Sequence, residues 1–144
     1  MTKLAREVAR HKALAHPVRL RILALLEGGE LCVCRVVAVL GLAYSTVSAH
    51  LRELRRTGLV DERKEGRWVY HRLPDDRAAR AVVEDELHRL RDDVRLMADA
   101  DLLRRVCCIP AGDLCRGDFD LEGLERMLAA TAGSTARPGK GERP

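Results

Sequence analysis

The residues of this 144-residue chain best suited to chemistry are its five cysteines, grouped as Cys32/Cys34 and Cys107/Cys108/Cys115. A thiolate is a ligand for soft ions and a centre for reversible oxidation, so thiols in clusters point to soft-metal binding or redox sensing. A disulfide framework is less expected, because the N-terminal 20 residues lack the apolar run and cleavage site of a secretory signal, which assigns the chain to the cytoplasm. Cys32 and Cys34 are two apart, and on a regular helix that spacing points their side chains about 200° from each other. Both can face one ion only if the helix start is unwound. In the second group, "CCIPAGDLC", Pro110 and Gly112 let the chain fold back, so that three thiols could form a self-contained trigonal set. Glu86 and His88 offer oxygen and nitrogen donors, but the positions one helical repeat later are Asp99 and Leu102, and His88 reads as solvated. His11, His16 and His71 have no ligand spacing, no histidine is evidently paired with a thiol, and no Gly-rich phosphate loop is present, so an enzyme is not expected.

The elements that must position these thiols are mostly helical. Leu4, Val8 and Leu14 recur at helical spacing, and Pro17 opens a second helix whose stripe is Val18, Ile22, Leu25 and Leu26, ending at Gly28-Gly29. Leu31, Val33, Val36, Val37, Val39 and Leu40 make a third helix that stops at Gly41, and a fourth begins at once with "YSTVSAHLRELRRTG", Ser45 being its expected N-cap. Two helices joined by a few residues containing Gly form a helix-turn-helix. After Gly58, "LVDERKEGRWVYHRL" reads as a β-hairpin with its turn at Lys64 to Arg67, and Trp68 and Tyr70 as packing residues on one face. Periodicity resumes after Pro74 and runs to about Arg105 through Val82/Val83, Leu87, Leu90, Val94, Met97 and Leu102/Leu103. This predicts one helix of about 30 residues, too apolar on one face for a small monomer to cover, and hence a homodimer. A short helix at Leu121 to Ala130 precedes a tail of disordered composition.

The expected fold is therefore mainly α with a β-hairpin wing: a winged helix-turn-helix with a long C-terminal dimerisation helix. Residues 1–106 form the DNA-binding and dimerisation domain, 107–130 a Cys-containing extension and 131–144 the disordered tail. With only four aromatic residues, a β-sandwich or barrel is disfavoured, and no apolar run approaches a membrane span.

Charge divides unevenly. Residues 1–73 hold 14 Lys/Arg against 7 Asp/Glu, net +7, whereas residues 74–144 hold 12 against 15, net −3. A basic first half suits a module that meets a polyanion, here double-stranded operator DNA. The second helix of a helix-turn-helix presents its N-terminal residues to base edges, which selects Tyr44, Ser45, Thr46 and Ser48, with His50 and Arg52 a turn further on. Lys64 and Arg67 in the hairpin loop suit phosphates or the adjacent minor groove. Two-fold symmetry of the dimer makes the operator an inverted repeat.

Three segments, "ELCVC" at Glu30 to Cys34, "STVSAHLRELRRTGLV" at Ser45 to Val60 and "GRWVYHRL" at Gly66 to Leu73, resemble the ArsR family of metal-sensing bacterial repressors. The resemblance spans about residues 10 to 105. It implies homodimers that bind an operator as apo-repressors and leave it when the metal binds, with "ELCVC" as the thiolate site of arsenic- and cadmium/lead-responsive members. The chain departs from the arsenic-responsive pattern at Val37, where a third ligand is often found. Two thiolates then suffice, or the third comes from elsewhere, Cys107, Cys108 and Cys115 being the obvious source. Capture of an ion would distort the first helix of the reading unit and tilt Tyr44 to Arg55 away from the groove. Arsenite or antimonite, As(III) or Sb(III), favours three thiolates in a trigonal pyramid, while cadmium usually recruits a fourth ligand, and the arm before Ala15 has no Cys to supply one. The expected inducer is therefore As(III) or Sb(III), with Cd(II)/Pb(II) response, or thiol redox sensing, as the alternatives.

Overall fold

The computed structural model describes residues 1–115 and 121–132, and its elements begin where local chemistry starts them. Helix α1 (Lys3–Leu14) is capped by the Thr2 hydroxyl, which accepts from the Ala5 amide at 3.1 Å. Helix α2 (Pro17–Leu26) has Pro at its first position, and a His16 ring nitrogen accepts from the Val18 amide at 3.1 Å. Strand β1 (Leu31–Cys32), helix α3 (Val33–Leu40) and helix α4 (Tyr44–Arg56) follow. Gly41 ends α3 at φ 64°, a left-handed conformation that costs glycine little and lets α4 start three residues later. The N-cap of α4 is Ala43, without a side-chain cap bond, so the expected Ser45 cap is corrected: Ser45 already lies inside the first turn.

Strands β2 (Asp61–Glu65) and β3 (Trp68–Arg72) form the expected hairpin, paired antiparallel from Asp61↔Arg72 to Glu65↔Trp68, with Gly66 at φ 60° in the turn. The sheet has the order β1-β3-β2, with Leu31 opposite His71 and Cys32 opposite Tyr70. Leu31 was expected to begin the third helix. Instead it and Cys32 take the free edge of β3, which satisfies backbone groups that the preceding Gly28-Gly29 break leaves outside any helix.

The single long helix is also corrected. Helix α5 (Arg77–Arg89) ends at Leu90, and α6 (Val94–Val106) begins anew where the Asp93 carboxylate accepts from the Leu96 amide at 3.0 Å. A capping aspartate thus divides an apolar period that runs across it. The break lets α6 pack on α2 and α3. There Arg21 of α2 donates two bonds to the nearly buried Asp99 of α6, at 2.7 and 3.0 Å.

Ile22, Leu23 and Leu26 of α2, Val36 of α3 and Val47 and Leu54 of α4 centre the core, joined by Val83, Val106 and Ile109. Burying each such side chain stabilises the fold by about 1.5–3 kcal/mol before entropy is counted. Helices α7 (Ala111–Cys115) and α8 (Leu121–Ala132) add Leu114, Leu124 and Leu128. The helix expected at Leu121 to Ala130 thus runs two residues further, and the rest of the expected tail, 133–144, lies outside the described residues. Among the described residues no single helix is long and apolar enough to cross a membrane.

Candidate functional site

Cys32 occupies the N-cap position of α3 with extended backbone, φ −72° and ψ 150°, while Cys34 lies in the first turn. The unwinding that two thiols at this spacing require is therefore present at the strand-to-helix junction. Past Pro110 the chain reverses and α7 packs on α3, which brings Cys115 to Cys34 with Cα atoms 5.5 Å apart and the sulfurs joined as a disulfide. The Sγ atoms of Cys32, Cys34 and Cys115 all lie within 4.8 Å of one another. Cys32 is buried, Cys34 half-buried and Cys115 exposed, so the cluster runs from the interior to the surface.

The sequence left open a third thiol from the C-terminal group, and the geometry brings Cys115 of that group beside the pair. The pair recruits Cys115 alone. Cys107 is the C-cap of α6 and Cys108 follows it in the turn. Cys108 is exposed and its thiol donates to the Arg104 carbonyl at 3.5 Å. Cys107 is half-buried; burial pushes its thiol pKa up, while the Arg35 guanidinium beside it pulls the other way. Pro110, just before α7, was the local signal that the chain turns after α6. Glu86 and His88 do not come together as a site: Glu86 pairs with Arg89 at 2.8 Å, and His88 is exposed.

A cavity of about 360 Å³ adjoins the sulfurs. Cys32, Cys34 and Cys115 line it together with Tyr44 of α4 and Arg67, Trp68 and Val69 of the hairpin. Sequence reasoning placed Tyr44 and Arg67 on the DNA surface and missed that both also border the thiols.

Helix α4 buries Val47, Leu51 and Leu54 and turns Tyr44, Ser45, Thr46 and Arg52 to solvent, with Ser48 half-buried. His50 lies differently, its ring 4.4 Å from that of His16 and 3.5 Å from an Arg19 nitrogen. Burial, with the nearby His16 and Arg19, pushes the His50 pKa down. Lys64 and Arg67 are exposed near the hairpin tip, and the Arg67 guanidinium lies over the Trp68 ring at 5.6 Å. Arg55 of α4 is ion-paired to Glu62 of β2, which fixes the hairpin to the helix. The recognition-helix face and the hairpin tip are thus held by one scaffold, in the arrangement that lets a winged helix enter a groove and touch its flanks.

Residues 16–62 match the family model for bacterial regulatory proteins of the arsR family. The chain is 38% identical over 106 residues to the arsenical resistance operon repressor of Escherichia coli K12, covering 72% of this chain and 91% of that one. It is 39% identical over 79 residues to a cadmium resistance transcriptional regulatory protein, a CadC homolog, of Staphylococcus aureus, covering 54% and 65%. Among solved structures, the homodimeric winged helix-turn-helix DNA-binding domain of Mb0332 from Mycobacterium bovis is similar at TM-score 0.56 and 31% identity, covering 63% of this chain and 83% of that one. With helix-turn-helix, wing and sequence in agreement, the chain belongs to the ArsR family of transcriptional repressors.

Proposed function

We propose that this protein is a homodimeric operator-binding repressor that lets go of DNA when As(III) or Sb(III) binds the thiolates of Cys32, Cys34 and Cys115. The observation that carries this reading is the approach of the three sulfurs to within 4.8 Å at the start of the helix that leads into α4. Arsenous acid exchanges its three hydroxyls for three thiolates with release of three waters, leaving the lone pair as the fourth position of a pyramid. No redox step is involved once the Cys34–Cys115 disulfide has been opened by a thiol reductant.

The coupling follows from position. Cys32 is tied to the hairpin through Tyr70, Cys34 to α3, and Cys115 to α7, so one ion draws three elements together. Tyr44 and Arg67 border the same cavity and move with its walls. Tyr44, Ser45, Thr46, Ser48 and Arg52 read bases, and Lys64 and Arg67 hold phosphates. His50 braces α4 against α2.

The dimer forms through the exposed apolar residues Leu4 and Val8 of α1 and Val94 and Met97 of α6, which one protomer leaves 44–84% uncovered together with Met1. Met97→Asp is expected to yield monomers in sedimentation at micromolar concentration, where the unaltered protein sediments as a dimer. Its operator is an inverted repeat with half-site centres about 10 bp apart, or a multiple of that.

The disulfide favours a second reading, in which oxidation of Cys34 and Cys115 itself releases DNA. Titrating reduced protein on a duplex selected from a randomised pool, once with arsenite and once with peroxide, separates the two. Release by arsenite at one equivalent per protomer supports the metalloid reading, and release by peroxide alone supports the redox one.

A further inference from the structure

Arg10 of α1 is a buried cation away from both the thiols and the DNA-reading face, its side chain only 9% exposed. A charge withdrawn from water persists only where partners meet it. Its Nε donates to the Thr57 carbonyl at 3.4 Å and its Nη1 to Glu7 Oε1 at 3.0 Å, and Nη2 lies 3.7 Å from Asp76 Oδ2. Glu7 belongs to α1 itself. Thr57 is the C-cap of α4 and Asp76 the N-cap of α5, so the two bound the segment 58–75 that carries the hairpin. One planar guanidinium thus holds both ends of the wing, a geometry that the compact ammonium of lysine does not offer.

We propose that Arg10 is a positioning residue for DNA binding: by clasping both ends of the wing against α1, it sets where Lys64 and Arg67 meet phosphates. This rests on the assignment of those two cations to phosphates given above. Leu59, Val60 and Leu73 are buried at the base of the wing, but apolar packing is non-directional and fixes depth rather than angle. Direction comes from the polar grips. Arg55–Glu62 holds the outgoing strand β2 to α4, and Arg10–Asp76 holds the return. Gly58, at φ 76°, is the bend between Thr57 and β2. A rotation of about 10° there moves a tip roughly 20 Å away by about 3 Å, enough to break a phosphate contact.

The readout is the salt dependence of binding, because each phosphate contact adds about 0.9 to the slope of log K against log salt. Reduced protein is titrated onto a duplex selected from a randomised pool, between about 50 and 200 mM salt. Lys64→Ala/Arg67→Ala is expected to flatten the slope by about 2 for each bound protomer. Arg10→Met removes a cation too buried to touch DNA, yet is expected to flatten the slope as much, and the tip substitutions made on top of it to flatten it no further. Loss of folded protein would lower the amount that binds without changing the slope. Asp76→Asn preserves the cap on the Ala79 amide, since Asn caps as well as Asp, but weakens the grip of Arg10. Removing a negative charge would by itself favour DNA; a slope flattened by about 1 is expected instead, and this variant carries the test if Arg10→Met does not fold. An unchanged slope in the folded variant, or tip substitutions that cost as much on Arg10→Met as on the unaltered protein, would overturn the inference while leaving the tip reading standing. An unchanged slope in Lys64→Ala/Arg67→Ala would overturn the phosphate reading itself, and this inference with it.

Discussion

Cys34 and Cys115 are separated by 81 positions in sequence, yet their Cα atoms are 5.5 Å apart; Cys107 and Cys108 are adjacent, yet one is half-buried beside Arg35 and the other faces solvent. The first pair is brought together by tertiary packing of α7 on α3, whereas the second lies in the turn that ends α6. Nearness in sequence is therefore a poor guide to which thiols act together. What decides is the element on which each sulfur sits and the surface against which that element packs. The vicinal pair, the more conspicuous feature of the sequence, is left outside the cluster that adjoins the DNA-reading elements.

The largest consequence is thermodynamic. A disulfide across 81 positions restricts the unfolded chain, and oxidised protein is expected to be more stable than reduced protein by about 4 kcal/mol in urea unfolding. Cys34→Ser should abolish that difference, and Cys108→Ser should preserve it. Stabilisation that survives Cys34→Ser would reassign the bond to Cys32 and Cys115 or to the vicinal pair.

A smaller effect concerns the hairpin side of the cluster. His71, opposite Leu31 in the ladder, is buried, and burial, with Arg55 nearby, pushes its pKa down to about 4. As pH falls, the unfolded chain takes up the proton first, near pH 6.5, so stability is full above that value and declines toward pH 4, by at most about 3 kcal/mol. His71 Nδ1 has no hydrogen-bond partner among the described residues, so His71→Leu should fold and flatten this slope. An unchanged slope in urea midpoints between pH 7 and 4.5 would place the titrating group elsewhere.

The smallest effect is kinetic. In oxidised protein three thiols remain, and exposed Cys108 should alkylate with iodoacetamide roughly tenfold faster than Cys107, whose thiol pKa burial raises, and faster still than buried Cys32. Peptide mass spectrometry over time gives the order. Cys32 reacting first would mean that the cluster opens readily at the junction of β1 and α3.

Much of the reading unit was legible because its signals are local. Pro17 starts α2, Gly41 ends α3, Gly66 turns the hairpin, and the stripe Val47, Leu51, Leu54 sets which face of α4 is free. The misreadings share a different cause. Leu31 and Cys32 become a strand only because β3 offers an edge 40 residues later. The division of α5 from α6 did have a local signal, Asp93 three residues before Leu96, but an unbroken apolar period masked it. In the candidate site, the need for an unwound start at Cys32 followed from helix geometry. The choice of Cys115 over Cys107 and Cys108 depended on how α7 packs, which no spacing in the chain expresses.

The central claim is that the cluster of Cys32, Cys34 and Cys115, rather than the vicinal pair, governs release from DNA. The most direct measurement is arsenite-driven release of a labelled operator duplex by fluorescence anisotropy, using reduced Cys115→Ser and reduced Cys107→Ser/Cys108→Ser beside the unaltered protein. Both variants should bind the duplex normally; the double variant should release at an arsenite concentration within about threefold of the unaltered protein, and Cys115→Ser should remain bound at concentrations on the order of 100-fold higher. Normal release by Cys115→Ser, with retention by the double variant, would contradict the account.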